Sequence, residues 1–258
     1  IVTDQAYNAT IIEFTIDKKL PEFNVESGTH SENAMEIVVT DDTFDYMNVT
    51  NQDTGVTEKY TTSIITLEDE ATYHIYAFDK AGNYQELWVA IDKNPPTINV
   101  AGTNVDGYFR DEEVTLTVFD KFLTEVTVNG ETFDKDDFTY ANNNENATLT
   151  KTYTAEGKYE VVAKDKFGHV TTYTFVIDQT APALKGIENG GVYKEAILEI
   201  IEENLGTAEI RKENGRWEDF TSGYKVSESG TYSVKIIDKA YNKLEITFTI
   251  DADAPEGY

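Results

Sequence analysis

Asp79-Lys80-Ala81-Gly82-Asn83, then Tyr84-Gln85-Glu86-Leu87-Trp88-Val89-Ala90-Ile91-Asp92, then Lys93-Asn94-Pro95-Pro96, decides the fold because it recurs. The chain opens on a copy, Asp4-Gln5-Ala6-Tyr7-Asn8 through Ile16-Asp17 to Pro21. Asp165-Lys166-Phe167-Gly168-His169 leads through Ile177-Asp178 to Pro182, and Asp238-Lys239-Ala240-Tyr241-Asn242 through Ile250-Asp251 to Pro255. All five prolines fall in these cassettes. Copies returning every ~70–90 residues mean an array of like modules, each long enough for two packed sheets.

Within a copy the hydrophobic period is two. Ahead of the turn, Tyr73, Tyr159 and Tyr232 align, then Ile75, Val161 and Val234, then Ala77, Ala163 and Ile236. Residues between them include Glu160, Lys164, Ser233 and Lys235. After the turn the inward set is Ile12, Leu87, Tyr173 and Ile246, then Phe14, Val89, Phe175 and Phe248, then Ile16, Ile91, Ile177 and Ile250. This alternation predicts half-buried strands. The cassette is then a β-hairpin, with Asp capping the turn and Gly or Asn taking positive φ.

Upstream strands are expected over 34–40 and 44–49, 112–119 and 123–128, and 196–201 and 205–211. Asn129-Gly130 and Asn214-Gly215 carry a two-residue hairpin signal. Asn142-Asn143-Asn144-Glu145-Asn146 reads as a polar loop. No stretch sustains a 3.6-residue period, so no helix is expected.

Composition narrows the function. The formal net charge is −27, from 21 basic and 48 acidic residues, which disfavours nucleic acid and anionic membrane surfaces. Without cysteine there is no disulfide framework and no thiolate metal site. No apolar run approaches the ~18 residues of a membrane span. With 40% hydrophobic residues the modules can still build cores.

The Asp79–Asn83 turn, a strand ending Thr247-Phe248-Thr249-Ile250-Asp251 and the following Ala254-Pro255 resemble the bacterial immunoglobulin-like repeats of large cell-surface proteins and adhesins. The resemblance covers essentially the whole chain; its motif is specific for fold and weak for ligand. It implies an all-β chain of tandem immunoglobulin-like β-sandwiches arranged end to end. Residues 1–17 are then the C-terminal hairpin of a preceding repeat, 18–92, 93–178 and 179–251 are full repeats, and 252–258 begin another. Tyr73 after Asp69-Glu70-Ala71-Thr72 matches the tyrosine corner of that fold, with Tyr159 and Tyr232 as looser copies. The inter-sheet disulfide is missing, which disfavours antibody-type domains, and a fibronectin type III-like sandwich stays open as a rival topology. Each terminal Asp is followed four residues later by Pro, which stiffens the junction.

The resemblance implies a non-enzymatic stalk or adhesin segment of a bacterial surface or secreted protein, outside the cell, spacing a binding or catalytic head from it. Its partners would be neighbouring repeats of the same chain and a host glycan or protein. The residues agree about catalysis. His30, His74 and His169 share no motif with a nucleophile, and pairs such as Glu202-Glu203 and Asp136-Asp137 mean little in so acidic a chain. No phosphate loop or zinc spacing occurs. No cofactor is expected, apart from structural calcium that junction Asp17, Asp92, Asp178 and Asp251, with turn Asp4, Asp79, Asp165 and Asp238, could ligate. The bland alternative is that these Asp residues accept local N–H bonds.

One module differs. Its outward positions on the strands either side of the turn hold His74, Tyr76, Phe78 and Trp88, where the others carry Glu160, Val162, Lys164 and Thr174, or Ser233, Lys235, Ile237 and Thr247. Phe44, Tyr46 and Met47 lie on the neighbouring strand, their facing undecided. An aromatic stripe there marks either a contact with a host glycan or protein, or a surface covered by residues 50–62 or the next module. This gives a second function, a binding module in its own right. A third is the accessory region of a secreted carbohydrate-active enzyme. Sequons at Asn8, Asn48 and Asn146 matter only in a glycosylating host.

Overall fold

The structure, a computed structural model, describes all residues except 4, 7, 8, 12, 142–145 and 254–258, together with all side chains of the remainder but that of 104. The readings at Asp4, Asn8, Ile12, most of the 142–146 loop and Pro255 therefore lie outside the described residues. Residues 1–94 and 95–258 form two compact units.

The first unit opens with β1 (Val2–Thr3) paired antiparallel to β2 (Ala9–Thr10). Phe14 and Ile16, expected to face inward, are 81% and 71% exposed. No second sheet packs on them among the described residues. The sandwich that follows comprises β3 (Glu22–Phe23), β4 (Thr29–Ser31), β5 (Met35–Thr40), β6 (Phe44–Asn51), β7 (Thr57–Tyr60), β8 (Ile64–Leu67), β9 (Ala71–Asp79) and β10 (Tyr84–Ile91). One sheet runs β3-β5-β8 and the other β4-β10-β9-β6-β7. Ile37, Met47, Ile75, Leu87 and Ile91 fill the space between them.

The second unit holds two cores, one drawn from residues 109–177 and one from 196–250. Its first ten strands are β11 (Thr97–Ala101), β12 (Asn104–Val105), β13 (Tyr108–Phe109), β14 (Val114–Asp120), β15 (Leu123–Val128), β16 (Glu131–Phe133), β17 (Thr139–Ala141), β18 (Asn146–Tyr153), β19 (Gly157–Asp165) and β20 (Val170–Ile177). The rest are β21 (Ala183–Lys185), β22 (Val192–Tyr193), β23 (Ala196–Ile201), β24 (Leu205–Lys212), β25 (Glu218–Asp219), β26 (Tyr224–Val226), β27 (Gly230–Asp238) and β28 (Lys243–Ile250). The orders β11-β14-β18-β17 with β12-β13-β20-β19-β15-β16, and β21-β23-β26 with β22-β28-β27-β24-β25, repeat the first sandwich. In the letters of the immunoglobulin fold these are A-B-E, or A-B-E-D, facing G-F-C. The fold is all-β, of immunoglobulin-like sandwiches in tandem, and no helix occurs among the described residues. In each sandwich a short early strand leaves the first sheet and pairs parallel with the last strand: β4 on β10, β13 on β20, β22 on β28. That pairing favours the immunoglobulin arrangement over the fibronectin rival.

The recurring cassette is the hairpin β9–β10, β19–β20 or β27–β28. Asp79 Oδ1 accepts the Asn83 amide at 2.8 Å and Oδ2 the Asn83 side chain at 2.7 Å, and Asp238 holds Asn242 in the same way at 2.8 Å each. His169 fills the Asn place, its Nδ1 2.5 Å from Asp165 Oδ2. Positive φ falls on the fourth residue, Gly82, Gly168 and Tyr241, and not on Asn. Asn is there for its side-chain amide. Asn129 and Gly130 both have positive φ and make the expected tight turn, whereas in the third repeat it is Glu213 that does so. The Asn214-Gly215 signal is thus displaced, and the strands diverge until β25.

All three tyrosine corners close. Tyr73 donates to Asp69 O at 3.0 Å, Tyr159 to Ala155 O at 2.8 Å, and Tyr232 to Glu228 O at 3.0 Å. Burial pushes all three phenols up from the ordinary tyrosine value, since the charged form would lose water. Tyr173, expected inward, is instead 38% exposed. Its ring lies beside that of Phe175, centroids 6.5 Å apart, and a tyrosine tolerates such partial exposure because its apolar ring carries a polar tip.

Candidate functional site

The outward face of β9 and β10 carries the aromatic residues singled out from sequence, and cross-strand register explains how they meet. Trp88 stands opposite His74, Glu86 opposite Tyr76 and Tyr84 opposite Phe78; on the other flank β6 sets Tyr46 against Phe78 and Asn48 against Tyr76. Directly opposed side chains lie close enough to pack as pairs. His74 and Trp88 stack with centroids 3.8 Å apart, and Tyr46 and Phe78 stack at 4.8 Å. Tyr76 lies between, 4.4 Å from His74 and 6.3 Å from Phe78. Tyr84 meets it edge-on at 5.9 Å.

The four residues read from sequence thus share one continuous ribbon. Two members were not in that set. Tyr46 had been left undecided, and Tyr84, 54% exposed, follows the turn where the other copies hold Val170 and Lys243. Met47 points the other way and is fully buried, while Phe44 packs on the core. A register shift between Phe44 and Tyr46 explains the mixture, because an extra residue there breaks strict alternation.

Residues 50–62 do not fold over the face. They complete β6 and turn into β7, which extends the sheet sideways. Lys59 on that strand places Nζ 3.5 Å from the Tyr46 ring centroid. Glu86 Oε2 lies 3.3 Å from His74 Nε2. Desolvation and the same carboxylate push the Tyr76 hydroxyl up from its ordinary value. The face therefore combines stacked rings, one carboxylate, one ammonium and amide or hydroxyl groups from Asn48 and Thr50.

Among the described residues, triads made of carboxylates alone gather at two further places. Asp17, Asp41 and Asp79 bring one oxygen each within 4.8 Å of one another, as do Asp178, Glu202 and Asp238. Asp17, Asp79, Asp178 and Asp238 are among the Asp residues the sequence offers for calcium, but each cluster joins the junction Asp of one cassette to the turn Asp of the next, and Asp41 and Glu202, from the loops entering β6 and β24, are not in that set. Asn83 Nδ2 donates to Asp17 O at 3.2 Å and Thr43 to Asp17 Oδ2 at 2.8 Å. In the second cluster Asn242 Nδ2 donates to Asp178 O, and Asn204 Nδ2 to Asp178 Oδ2, both at 2.8 Å. Three carboxylates are half of what calcium takes, and several of their lone pairs already hold N–H or O–H groups. Glu202 is pushed up by burial and by the charges of Asp178 and Asp238, against the pull of the Asn204 amide.

The histidines serve separate settings: His30 in β4, His74 in the ribbon and His169 in its turn.

No family model matches the chain. A search of curated proteins also finds no match. Among solved structures, the N-terminal eight Ig domains of Down Syndrome Cell Adhesion Molecule are similar at TM-score 0.38 and 12% identity, over 91% of this chain and 36% of that one. The four N-terminal Ig domains of a Dscam1 isoform give 0.30 and 10%, over 92% and 73%. The Bacteroides ovatus glucan-locus protein SGBP-B, solved with a mixed-linkage heptasaccharide, gives 0.23 and 15%, over 90% and 70%. The chain thus spans about a third of the DSCAM fragment. Overlaps this loose say nothing about function, and the immunoglobulin-like assignment stands on the strand orders above. Such a fold fits a structural or binding module. No described helix is long and apolar enough to cross a membrane.

Proposed function

We propose that the chain is a non-enzymatic stalk or adhesin segment of a bacterial surface or secreted protein, built of repeats at 18–92, 93–178 and 179–251. The observation that carries this is the junction chemistry inside the second unit. Asn242, from the hairpin turn of one repeat, donates to the carbonyl of Asp178, the last residue of the repeat before it. A junction fixed by hydrogen bonds and followed by Pro182 holds its neighbours in place, as a spacer requires. Small-angle scattering tests it: a semi-rigid rod is expected, and a profile typical of a freely jointed chain would sink the idea.

A second reading, a binding module, is favoured by the ribbon from Tyr46 to Trp88, which the other repeats lack. Tyr76→Lys with Trp88→Lys should abolish partner pull-down while leaving the melting temperature near the parent's; unchanged pull-down removes this reading. The accessory-region reading depends on a catalytic domain elsewhere in the gene. Calcium at the acidic clusters accompanies the stalk reading. A melting temperature that EDTA does not move overturns it.

A further inference from the structure

We infer that the outward edge of β10 is a binding strip for a neutral glycan, Trp88 and Tyr84 each receiving the C–H face of a sugar ring while Glu86 accepts hydroxyl hydrogens between them. This rests on the binding reading above and narrows it to one ligand chemistry.

The strip is set by strand geometry. Tyr84, Glu86 and Trp88 alternate on one side of a single strand, so the two rings stand ~13 Å apart with the carboxylate midway. They are also the open members of the ribbon, with Tyr84 54% and Trp88 39% exposed. Most other ring faces are in use: Phe78 covers one side of Tyr46, Lys59 sits over that ring, and His74 covers one side of Trp88. On the side of β10 away from His74 the backbone neighbours are Gly28, whose amide donates to Trp88 O at 2.7 Å, and Ser27, whose Oγ accepts the Trp88 amide at 3.1 Å. Gly28 contributes no side chain, and a Cβ built there would meet nothing within 4 Å. Trp88 itself is 39% exposed.

Charge selects among ligands. Glu86 and the net charge of −27 repel uronic and sialic acids. A basic peptide would find the Tyr46 ring already beneath Lys59, whose ammonium repels further cations. Sugar hydroxyls both donate and accept, so they suit a face where acceptor and donor groups stand side by side. The C–H side of a pyranose carries the slight positive charge that an aromatic face attracts.

The test uses the 258-residue chain with Trp217→Phe, which leaves Trp88 as its single indole. The probes are neutral hexasaccharides of glucose, mannose, xylose and N-acetylglucosamine, with hexagalacturonate and hexalysine alongside. A saturable blue shift of Trp88 emission is expected with at least one neutral probe, unchanged between about 0.1 and about 1 M NaCl. By calorimetry, Tyr84→Ala and Trp88→Ala should each weaken binding by about tenfold with circular dichroism unaltered. A shift with hexalysine alone that salt abolishes, or no shift with any neutral probe, overturns the inference. If the lysine variants still abolish partner pull-down in that event, the binding reading stands and only the ligand class falls.

Discussion

At the scale of single residues, the tyrosine corner is the simplest device to test. Tyr159→Phe keeps the ring and deletes only the bond to Ala155 O, so it should cost about 0.5–1.5 kcal/mol in urea unfolding, without a change in slope. Two carboxyls make opposite predictions about acid. Burial works against the Asp79 charge, but bonds from the Asn83 side chain and the amides of Asn83, Ala81 and Gly82 outweigh it and hold its pKa low. Its stabilisation is present above the unfolded value of about 3.9 and lost as pH falls through the folded one. Glu202 is raised, so its contribution is full below about pH 4.3 and lost as pH rises through the folded value. Glu202→Gln should therefore gain on the parent as pH climbs through the weakly acidic range, and parallel urea-midpoint curves would refute this. These positions also show where sequence falls short. Asp79 announces itself by recurrence, whereas Asp41 and Glu202 differ in type and sit in loops of no fixed pattern.

At the scale of elements, legibility tracked length and alternation. β9, β10, β19, β20, β27 and β28 each run eight or nine residues with clear period two, and their inward residues agree with the alternation apart from Tyr173; Phe14 and Ile16, expected inward in the first cassette, are exposed outside any strand. β4, β13 and β22 span only two or three residues, too few for any period to register. β7 is not legible because Thr57, Glu58 and Lys59 are polar and exposed, so no alternation marks them; what makes the strand is its backbone pairing with β6 at the sheet edge. The ribbon was recognised through β9 because three outward aromatics in succession break the pattern. Tyr84 was missed because the first residue after a turn has no expected facing. For packing, Phe175 in β20 is the most informative residue, stacked on Tyr159 at 4.8 Å and edge-on to Phe109 at 5.8 Å. Phe175→Ala should cost about 3–5 kcal/mol, read as a drop in the denaturation midpoint of the second repeat.

At the scale of the whole molecule, three separate cores lie within two compact units, so unfolding should not be one event. Scanning calorimetry is expected to give a van't Hoff enthalpy well below the calorimetric one; equal values would mean a single cooperative block. The parallel pairing of β4 with β10, β13 with β20 and β22 with β28 has one more consequence. Strands that run the same way are loaded in shear when tension is applied to the two ends of a repeat. The bonds of Gly28 to Trp88 O and of Asp92 to Ser31 O then share that load, as do those joining Asp178 to Phe109 O and Asp251 to Tyr193 O. They must break together and not one after another. Each repeat would yield abruptly at a high force, and a tandem array of such units would hold its length under tension until a repeat gave way.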